Sequence, residues 1–356
     1  ASGGASGASA TPDKGLAPLV QSCAATTTGS PAFTDATDKW ALGKAGLDVT
    51  GGRAMVADLD DDGFPDLIVH RVAANTRTNL AAGAPVAPAN WPYRVLMNRP
   101  SEDGTHRRFV DATISSGYGV VEGTPDVLRS AHLTVAADVD NDGDLDLFQG
   151  TNTDPANIKT DPGDKSRILL NDGAGVFTPA TLSDVSPQPK ERWPTTGLTF
   201  ADVDRDGRID AFVGFFYQPN KPYGFQAQLY KGAGDGTFTY GTDDAGLDTF
   251  DGDVETGENN RPAYGVTSCD LDDDGAPELM VSAYGRQWNM LYQNDGKGVF
   301  KEVGQQSGFA GDAVADYSDN QNFACWCTVD RAEKANCKDV KKPLVSCGDP
   351  ADGSWG

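Results

Sequence analysis

Acidic residues recur at fixed spacing in four nine-residue segments of this 356-residue chain. We call these segments loop 1 (58–66), loop 2 (138–146), loop 3 (202–210) and loop 4 (270–278). Each has a carboxylate at positions 1, 3, 5 and 9 and glycine at position 6. Carboxylates packed this closely repel one another unless a cation lies between them. Because oxygen ligands on a flexible loop favour Ca²⁺ over the more exacting Mg²⁺, the spacing predicts four calcium sites.

The predicted ligands in each loop are the side chains at positions 1, 3, 5 and 9 and the backbone carbonyl at position 7. An EF-hand begins similarly but needs a glutamate at position 12, where this chain has valine or glutamine. The alternative is a metal-free turn held by aspartate–backbone hydrogen bonds, but all four loops have the full set of acids. The candidate metal-binding residues are Asp58, Asp60, Asp62, Phe64 and Asp66; Asp138, Asp140, Asp142, Asp144 and Asp146; Asp202, Asp204, Asp206, Arg208 and Asp210; and Asp270, Asp272, Asp274, Ala276 and Glu278.

Short apolar segments flank each loop and must position it. Runs of valine, leucine, isoleucine and phenylalanine around a glycine-containing turn predict a strand, the loop and a second strand. A further strand–turn–strand segment follows each loop, for example at 168–177. Two hairpins, or four strands, make one blade of a β-propeller. The predicted fold class is therefore all-β, a propeller of four-stranded blades with calcium-binding hairpin loops.

The paired signatures resemble the FG-GAP and VCBS repeats found in the integrin α-chain propeller and the cartilage acidic protein-like family. The resemblance covers residues 33–320 and implies Ca²⁺, about four ions per chain, in the hairpin loops. Two departures from the repeat are visible: Glu278 places a longer side chain at position 9 of loop 4, and an insertion at 72–92 interrupts blade 1. We expect the longer side chain to loosen that site and the insertion to form a loop over one propeller face.

The repeats predict an incomplete set of blades. Residues 1–32 are expected to be a flexible linker and N-terminal segment, 33–311 the blades, and 312–356 a degenerate blade start with a disulfide-rich tail. Residues 33–37 match 109–113 at four of five positions, but no acidic loop precedes them. They are expected to be the outer strand of a blade whose inner strands lie elsewhere. The alternative is that the tail closes the ring.

Composition restricts location and partners. A formal net charge of −23 disfavours nucleic acid and anionic membranes, and no apolar run is long enough for membrane insertion. A start at Ala1 rather than methionine and an even cysteine count are typical of processed, secreted proteins. We expect a secreted, extracellular or cell-surface protein with disulfides rather than a zinc site. The cysteines are Cys23, Cys269, Cys325, Cys327, Cys337 and Cys347.

Three functions are compatible with the sequence. The first is a non-catalytic extracellular adhesion, binding or assembly scaffold, with a protein partner or second chain that completes or packs on the propeller. The others are a propeller enzyme acting on polysaccharide, such as a lyase, and a lectin. His70 and His132 flank loops 1 and 2, but strand-end histidines are more often structural, and no catalytic motif is present. Aromatic residues in loops would favour a glycan-binding face, although such residues more often cap a core; they are Trp91, Tyr93, Trp193, Tyr217, Tyr223 and Trp288.

Overall fold

The computed structural model describes residues 35–42, 52–70, 78–79, 91, 93–121, 124–151, 165–180, 193–218, 224–248, 260–284, 288–311, 324–325, 327–328 and 342. Within these ranges the chain forms nineteen strands and a short helix, and residues 324–325 and 327–328 are also helical. The strands are β1 (Arg53–Ala57), β2 (Asp66–His70), β3 (Thr78–Asn79), β4 (Tyr93–Pro100), β5 (Arg107–Asp111), β6 (Val120–Val121), β7 (Thr124–Leu128), β8 (Leu133–Ala137), β9 (Asp146–Gly150), β10 (Arg167–Asn171), β11 (Phe177–Pro179), β12 (Thr195–Ala201), β13 (Asp210–Phe215), β14 (Gln228–Gly232), β15 (Phe238–Tyr240), β16 (Ala263–Cys269), β17 (Glu278–Ala283), β18 (Met290–Asn294) and β19 (Phe300–Glu302). The helix α1 (Gly304–Ser307) follows β19.

Sixteen of these strands form four antiparallel sheets of four strands each, which confirms the all-β prediction and the four repeats. We call the sheets blade 1 (β1-β2-β4-β5), blade 2 (β8-β9-β10-β11), blade 3 (β12-β13-β14-β15) and blade 4 (β16-β17-β18-β19). Each blade is two hairpins laid side by side. The arrangement is that of propeller-like blades.

Each loop closes the first hairpin of its blade in the same register. Position 9 of the loop is the first residue of the second strand and pairs with the residue that precedes position 1. The pairs are Ala57 with Asp66, Ala137 with Asp146, Ala201 with Asp210, and Cys269 with Glu278. The repeated sequence therefore produces a repeated hairpin.

Consecutive blades pack face to face, and the core lies between them. In β9, Leu147 packs with Tyr93 and Tyr118 on the blade 1 side, whereas the next residue, Phe148, packs with Val213 on the blade 3 side. Side chains of a strand alternate between its two faces. Because both faces of a middle blade are covered, its strands are apolar at successive positions, which explains the continuous apolar runs in the sequence.

The two end blades leave opposite faces uncovered. In β1, Ala54 and Val56 are exposed, and Val56 is 60% accessible to solvent. In β16 the other face is exposed, at Thr267 and Cys269. The equivalent positions of β8 and β12 are buried or half-buried, because a neighbouring blade covers them. Cys269 is a free thiol, so the expectation of a disulfide at this cysteine is wrong.

The N-terminal segment packs on blade 1. The backbone N–H of Phe109 donates to the carbonyl of Trp40 at 3.1 Å. Blade 2 repeats this contact between Phe177 and Ser116, at 2.7 Å, and blade 4 repeats it with its own first outer-strand residue. Residues 35–40 thus occupy the place that the end of a preceding blade takes elsewhere. Residues 33–34 lie outside the described ranges, so the strand pairing of 33–37 stays a prediction.

The insertion in blade 1 contributes a strand to a separate small sheet. Its described residues form β3, which pairs with β7, and β7 pairs with β6. The expectation of an irregular loop therefore needs correction at Thr78–Asn79, because the segment that links blades 1 and 2 offers a strand edge there.

The C-terminal segment is described at a few residues only. Cys325 and Cys327 are both disulfide-bonded, which agrees with the expectation for these two cysteines. The degenerate blade start at 314–321 and Cys23, Cys337 and Cys347 lie outside the described residues. In the described part of the chain, no helix has the length and apolar character needed to cross a membrane.

Candidate metal centres

All four loops share one backbone conformation. Position 4 is left-handed in each, with φ of 52° at Asp61, 61° at Asn141, 61° at Arg205 and 59° at Asp273. Position 6 is also left-handed, with φ between 81° and 100°, and is always glycine. Asparagine and aspartate tolerate this region better than most residues, and glycine adopts it without strain. Two such residues two positions apart turn the chain tightly and direct the intervening carboxylates to one side.

The carboxylates at positions 1 and 5 hold this turn together. In loop 1, Asp58 accepts backbone N–H bonds from Asp62 at 3.1 Å and from Gly63 at 2.7 Å. Asp62 in turn accepts from the N–H of Phe64 at 3.0 Å. Loops 3 and 4 repeat all three bonds, and loop 2 repeats the bonds to positions 6 and 7. Backbone N–H groups therefore hold each carboxylate in place through some of its oxygen lone pairs. The remaining lone pairs are directed into the turn.

The carboxylate at position 9 joins the two hairpins of its blade. Asp146 is fully buried; one oxygen accepts from the N–H of Val139 at 3.0 Å and the other from the N–H of Asn171 at 2.9 Å. Asp66, Asp210 and Glu278 make the same pair of contacts. The longer side chain of Glu278 reaches its second donor at 3.4 Å, against 2.6 Å for Asp66. Position 9 thus has a structural role in addition to its predicted role as a ligand.

The side chains of each loop converge as a metal site requires. Oxygens from three acids lie within 4.8 Å of one another in each loop. The groups are Asp58, Asp60 and Asp62; Asp138, Asp140 and Asp146; Asp202, Asp204 and Asp206; and Asp270, Asp272 and Glu278. Position 9 belongs to the group in loops 2 and 4, and position 5 in loops 1 and 3. The structure thus brings together three of the four side chains predicted for each site.

Buried oxygens without a partner supply the test of whether these residues fit a cation. Oδ1 of Asp60, of Asp138 and of Asp204 is buried and accepts no hydrogen bond from the described residues. A buried acceptor left unsatisfied costs free energy. A hard cation bound by oxygen ligands removes that cost, so the donor sets of loops 1, 2 and 3 fit Ca²⁺.

Burial and mutual repulsion destabilise the charged form of several carboxyls. Burial raises the pKa of Asp146 to about 6, and it also raises the pKa values of Asp66, Asp210 and Glu278. The pKa of Asp140 is raised too, first by burial and then by the charge of Asp142. A divalent cation favours the charged form of every carboxylate around it. The loops are therefore electrostatically strained in the absence of a positive charge.

Lysine and arginine side chains supply positive charge to three loops, most of them from outside the loop. In loop 1, Arg99 lies 2.5 Å from Asp60, and Arg107 lies 2.7 Å from Asp62. In loop 3, Lys231 of β14 donates to Asp204 at 2.9 Å and lies 3.4 Å from Asp210. Loop 3 also has an ion pair between Arg208 and Asp206, and in loop 4 Arg205 lies 3.7 Å from Asp274.

Loop 2 differs from the others. No lysine or arginine of the described chain forms an ion pair with its five acids, whereas loop 3 has three such pairs. The residue that corresponds to Lys231 in blade 2 is Leu170, since each immediately precedes the N–H donor to position 9. The sequence analysis missed Lys231, although a lysine at a strand position occupied by leucine in blade 2 was the available signal.

Position 7 is chemically varied, as expected for a residue predicted to act through its carbonyl. Phe64 lies under the guanidinium of Arg107, whose central carbon is 3.5 Å from the ring centroid, and Ala276 is fully buried. Arg208 pairs with Asp206 of its own loop. Burial, followed by neighbouring acids, raises the pKa of Asp144. The carbonyl contact itself stays a prediction.

The described histidines do not form a catalytic arrangement. His70 is buried, and its Nε2 lies 2.8 Å from the hydroxyl of Tyr118. Burial lowers the pKa of His70 to about 3 and that of His132 to about 4. Both imidazoles are therefore neutral at pH 7, and both are enclosed in the protein. These surroundings agree with the interpretation that the two histidines are structural.

A serine, an aspartate and a histidine do meet in the turn between β4 and β5. There, Ser101 donates its hydroxyl to Asp103 at 2.5 Å, and the same oxygen accepts from the backbone N–H of His106 at 3.2 Å. A nucleophilic serine must instead donate to the imidazole. These contacts are those of a turn.

The predicted loop aromatics fall into two groups. Trp91 and Tyr93 are buried in the core between blades 1 and 2. Trp193 stacks on Phe225, with ring centroids 4.5 Å apart. Trp288 is partly exposed over Arg261, and Tyr217 packs edge-on against Phe216 and Tyr284; Tyr223 lies outside the described residues. The sequence analysis missed Tyr264, the most exposed of the large aromatic residues in the described chain.

Comparison with known proteins agrees with the repeat architecture. Residues 138–213, which span loop 2 through β13, match the family model described as "FG-GAP-like repeat". This segment carries an FG-GAP-like repeat. No curated protein matches the chain.

Two solved structures align with part of the chain at low identity. A Bacillus licheniformis rhamnogalacturonan lyase of the PL11 class aligns at 16% identity and a TM-score of 0.35, over 69% of this chain and 41% of its own. The V. cholerae biofilm matrix protein Bap1 aligns at 17% identity and a TM-score of 0.30, over 69% of this chain and 29% of its own. The chain thus spans less than half the length of either structure.

Proposed function

We propose that this chain is an extracellular, calcium-binding β-propeller module that acts as a non-catalytic adhesion, binding or assembly scaffold. The observation that carries the proposal is the recurrence of buried, unpartnered carboxylate oxygens at Asp60, Asp138 and Asp204 inside loops of one conformation. Ca²⁺ would add ligand bonds to the native state that an unfolded chain cannot form as a set, and it would thereby stabilise the blades. The FG-GAP-like repeat at 138–213 supports the same reading.

The uncovered faces of the end blades support the assembly role. The exposed face of β1 includes Ala54 and Val56, and that of β16 includes Thr267 and Cys269. In the middle blades the equivalent faces are covered by a neighbour. A partner protein, a second chain or further blades would cover the two end faces in the same manner, and uncovered sheet surfaces favour such association.

Thermal unfolding with and without calcium tests the proposal. The melting temperature in millimolar calcium is expected to exceed that in EGTA, because a ligand that binds only the native state stabilises it by about 2.7 kcal/mol per site at a hundred times its Kd. Magnesium at equal concentration serves as the control and is expected to stabilise less. Identical melting in calcium and EGTA would contradict the proposal.

A further inference from the structure

An exposed aromatic group lies at the opposite end of the inner strands from the loops. Tyr264 is the second residue of β16, whereas loop 4 follows the last residue of that strand. Tyr264 is 57% exposed. Its ring stacks on Tyr284, with centroids 5.4 Å apart and 29° between the planes, and Tyr284 packs against Phe216 at 5.2 Å. Tyr264 therefore offers solvent an aromatic ring that other rings hold in place.

A half-buried arginine from another blade lies over this ring as a cation–π contact. Arg53 begins β1, and its guanidinium carbon is 5.9 Å from the centroid of Tyr264. Nη1 of Arg53 donates to the carbonyl of Thr196, and the hydroxyl of Thr196 donates to the carbonyl of Ala263 at 2.5 Å. Contacts across blades 1, 3 and 4 thus fix the guanidinium next to the tyrosine.

Arg53 differs from most other arginines in its counter-ions. Six arginines form ion pairs with carboxylates: Arg94, Arg99, Arg107, Arg108, Arg205 and Arg208. Within the described ranges no carboxylate pairs with Arg53, although the chain has a net charge of −23. Its one described hydrogen bond uses Nη1. The N–H groups of Nε and Nη2 are parallel and spaced like the two oxygens of a carboxylate, and neither has an acceptor among the described residues.

Among the described residues, the groups that face Arg53 do not neutralise it. His132 is 7% exposed, and its Nδ1 has no hydrogen-bond partner among the described residues. Burial and then the charge of Arg53 lower the pKa of His132 to about 4, so this imidazole is neutral at pH 7. A half-buried guanidinium beside neutral imidazole and aromatic groups is a ready site for an anion.

We propose that Arg53 and Tyr264 form a binding subsite for an acidic carbohydrate, with a uronate carboxylate paired to the guanidinium and the sugar ring stacked on the tyrosine. The inference rests on the proposed scaffold function and supplies one class of ligand for it. The negative face of an aromatic ring attracts the polarised C–H groups of a pyranose face. A planar guanidinium binds a carboxylate through two parallel N–H bonds.

The acidity of the whole chain does not prevent this recognition. At physiological salt the screening length is about 8 Å, and the loops lie at the far end of the inner strands from Arg53. The negative loops are therefore screened from the subsite, and their bound calcium would lower their charge further. Local charge at Arg53 then decides which carbohydrate binds.

Calorimetric titration of the calcium-loaded chain with tetragalacturonate tests the inference. The matched ligand is the fully methyl-esterified tetrasaccharide, which has the same rings without the charges. Wild-type protein is expected to bind the acid at least about tenfold more tightly than the ester, since a charge-assisted pair contributes on that order. Arg53→Gln is expected to remove this preference, and Tyr264→Ala is expected to weaken binding of both ligands.

Two variants control for nonspecific effects. Tyr240→Ala removes a similarly exposed tyrosine, at 49%, from the outer strand β15, where its hydroxyl donates to Asp243. Arg108→Gln removes an arginine that pairs with Glu102 at 3.2 Å. Both are expected to bind tetragalacturonate as wild type does. Melting temperatures in calcium verify that each variant is folded.

The outcomes separate this inference from the scaffold proposal. Equal affinity of Arg53→Gln and wild type for the acid, or no binding by folded wild type, would overturn the subsite and leave calcium stabilisation untouched. Equal binding of hexaglutamate would reassign the surface to acidic peptides and overturn the carbohydrate assignment. Conversion of the probe to an unsaturated product would overturn the non-catalytic function while supporting recognition of the acidic sugar.

Discussion

Loops 2 and 3 have the same backbone and the same acids at positions 1, 3, 5 and 9, but their surroundings differ. Beside loop 3, the ammonium of Lys231 lies 2.9 Å from Asp204 and 3.4 Å from Asp210, so a protein cation already contacts two predicted ligands. Beside loop 2, Leu170 takes that position, a fifth acid, Asp144, is added, and burial raises the pKa of Asp146 to about 6. Within the described part of the chain, no cationic side chain pairs with the acids of loop 2.

The difference teaches that a calcium motif does not by itself fix affinity. Both loops present three converging oxygens and one buried, unpartnered oxygen. An ammonium that must be displaced, or that repels the ion at short range, weakens a site, whereas unrelieved repulsion among carboxylates strengthens the binding of a divalent ion. We therefore expect loop 2 to bind calcium more tightly than loop 3.

Replacing the aspartate at position 3 of loop 2 or loop 3 gives the largest expected effect on the free energy of unfolding. Asp140→Ala is expected to lower the free energy of unfolding by about 2.7 kcal/mol in calcium at a hundred times the Kd of loop 2, because it removes that site. Asp204→Ala is expected to cost less, since loop 3 is less fully occupied at the same calcium concentration. Chemical denaturation in calcium and in EGTA measures both, and equal losses would remove the distinction between the loops.

The strands that lead into the two loops differ in their response to acid. In the native state the pKa of His132, which precedes loop 2, is lowered from about 6.5 to about 4. The equivalent residue before loop 3 is Thr196, which does not titrate. Between these values the unfolded state binds the proton more strongly, so native stability falls as pH drops through that window, by up to about 1.4 kcal/mol for each pH unit. His132→Thr is expected to flatten this loss, as followed by melting in EGTA. A pH dependence unchanged by the substitution would refute the assignment.

Exchanging the residues that distinguish the loops is expected to exchange their affinities. Lys231→Leu is expected to tighten loop 3 by about tenfold, or about 1.4 kcal/mol, by removing the ammonium from Asp204. Leu170→Lys is expected to weaken loop 2 by a similar factor. Calcium titration by calorimetry resolves the two classes of site. A Lys231→Leu chain with unchanged affinities would show that the lysine does not compete with the ion.

Position 7 of loop 2 gives the smallest expected effect. Asp144→Ala is expected to change the calcium affinity of loop 2 far less than Asp140→Ala does, because position 7 is predicted to bind through its backbone carbonyl, which alanine retains. The same calorimetric titration measures it. A loss as large as that of Asp140→Ala would make the Asp144 side chain a ligand.

Local features of this protein were predictable from sequence, whereas contacts across hairpins and blades were not. The spacing of acids and Gly143 predicted the turn, and the apolar segments predicted the strands that β8 and β9 form. The approach of Lys231 to loop 3 depends on the register between the two hairpins of a blade. The approach of Arg53 to Tyr264 depends on how four blades are arranged, which no single repeat encodes.

Counting bound calcium tests the central claim most directly. Equilibrium dialysis of the metal-free chain against increasing calcium, with metal analysis of the protein, gives the number of bound ions and their stepwise affinities. The account predicts four ions per chain in millimolar calcium, one of which binds more tightly in Lys231→Leu than in the wild type. Fewer than three ions per chain under those conditions would contradict it.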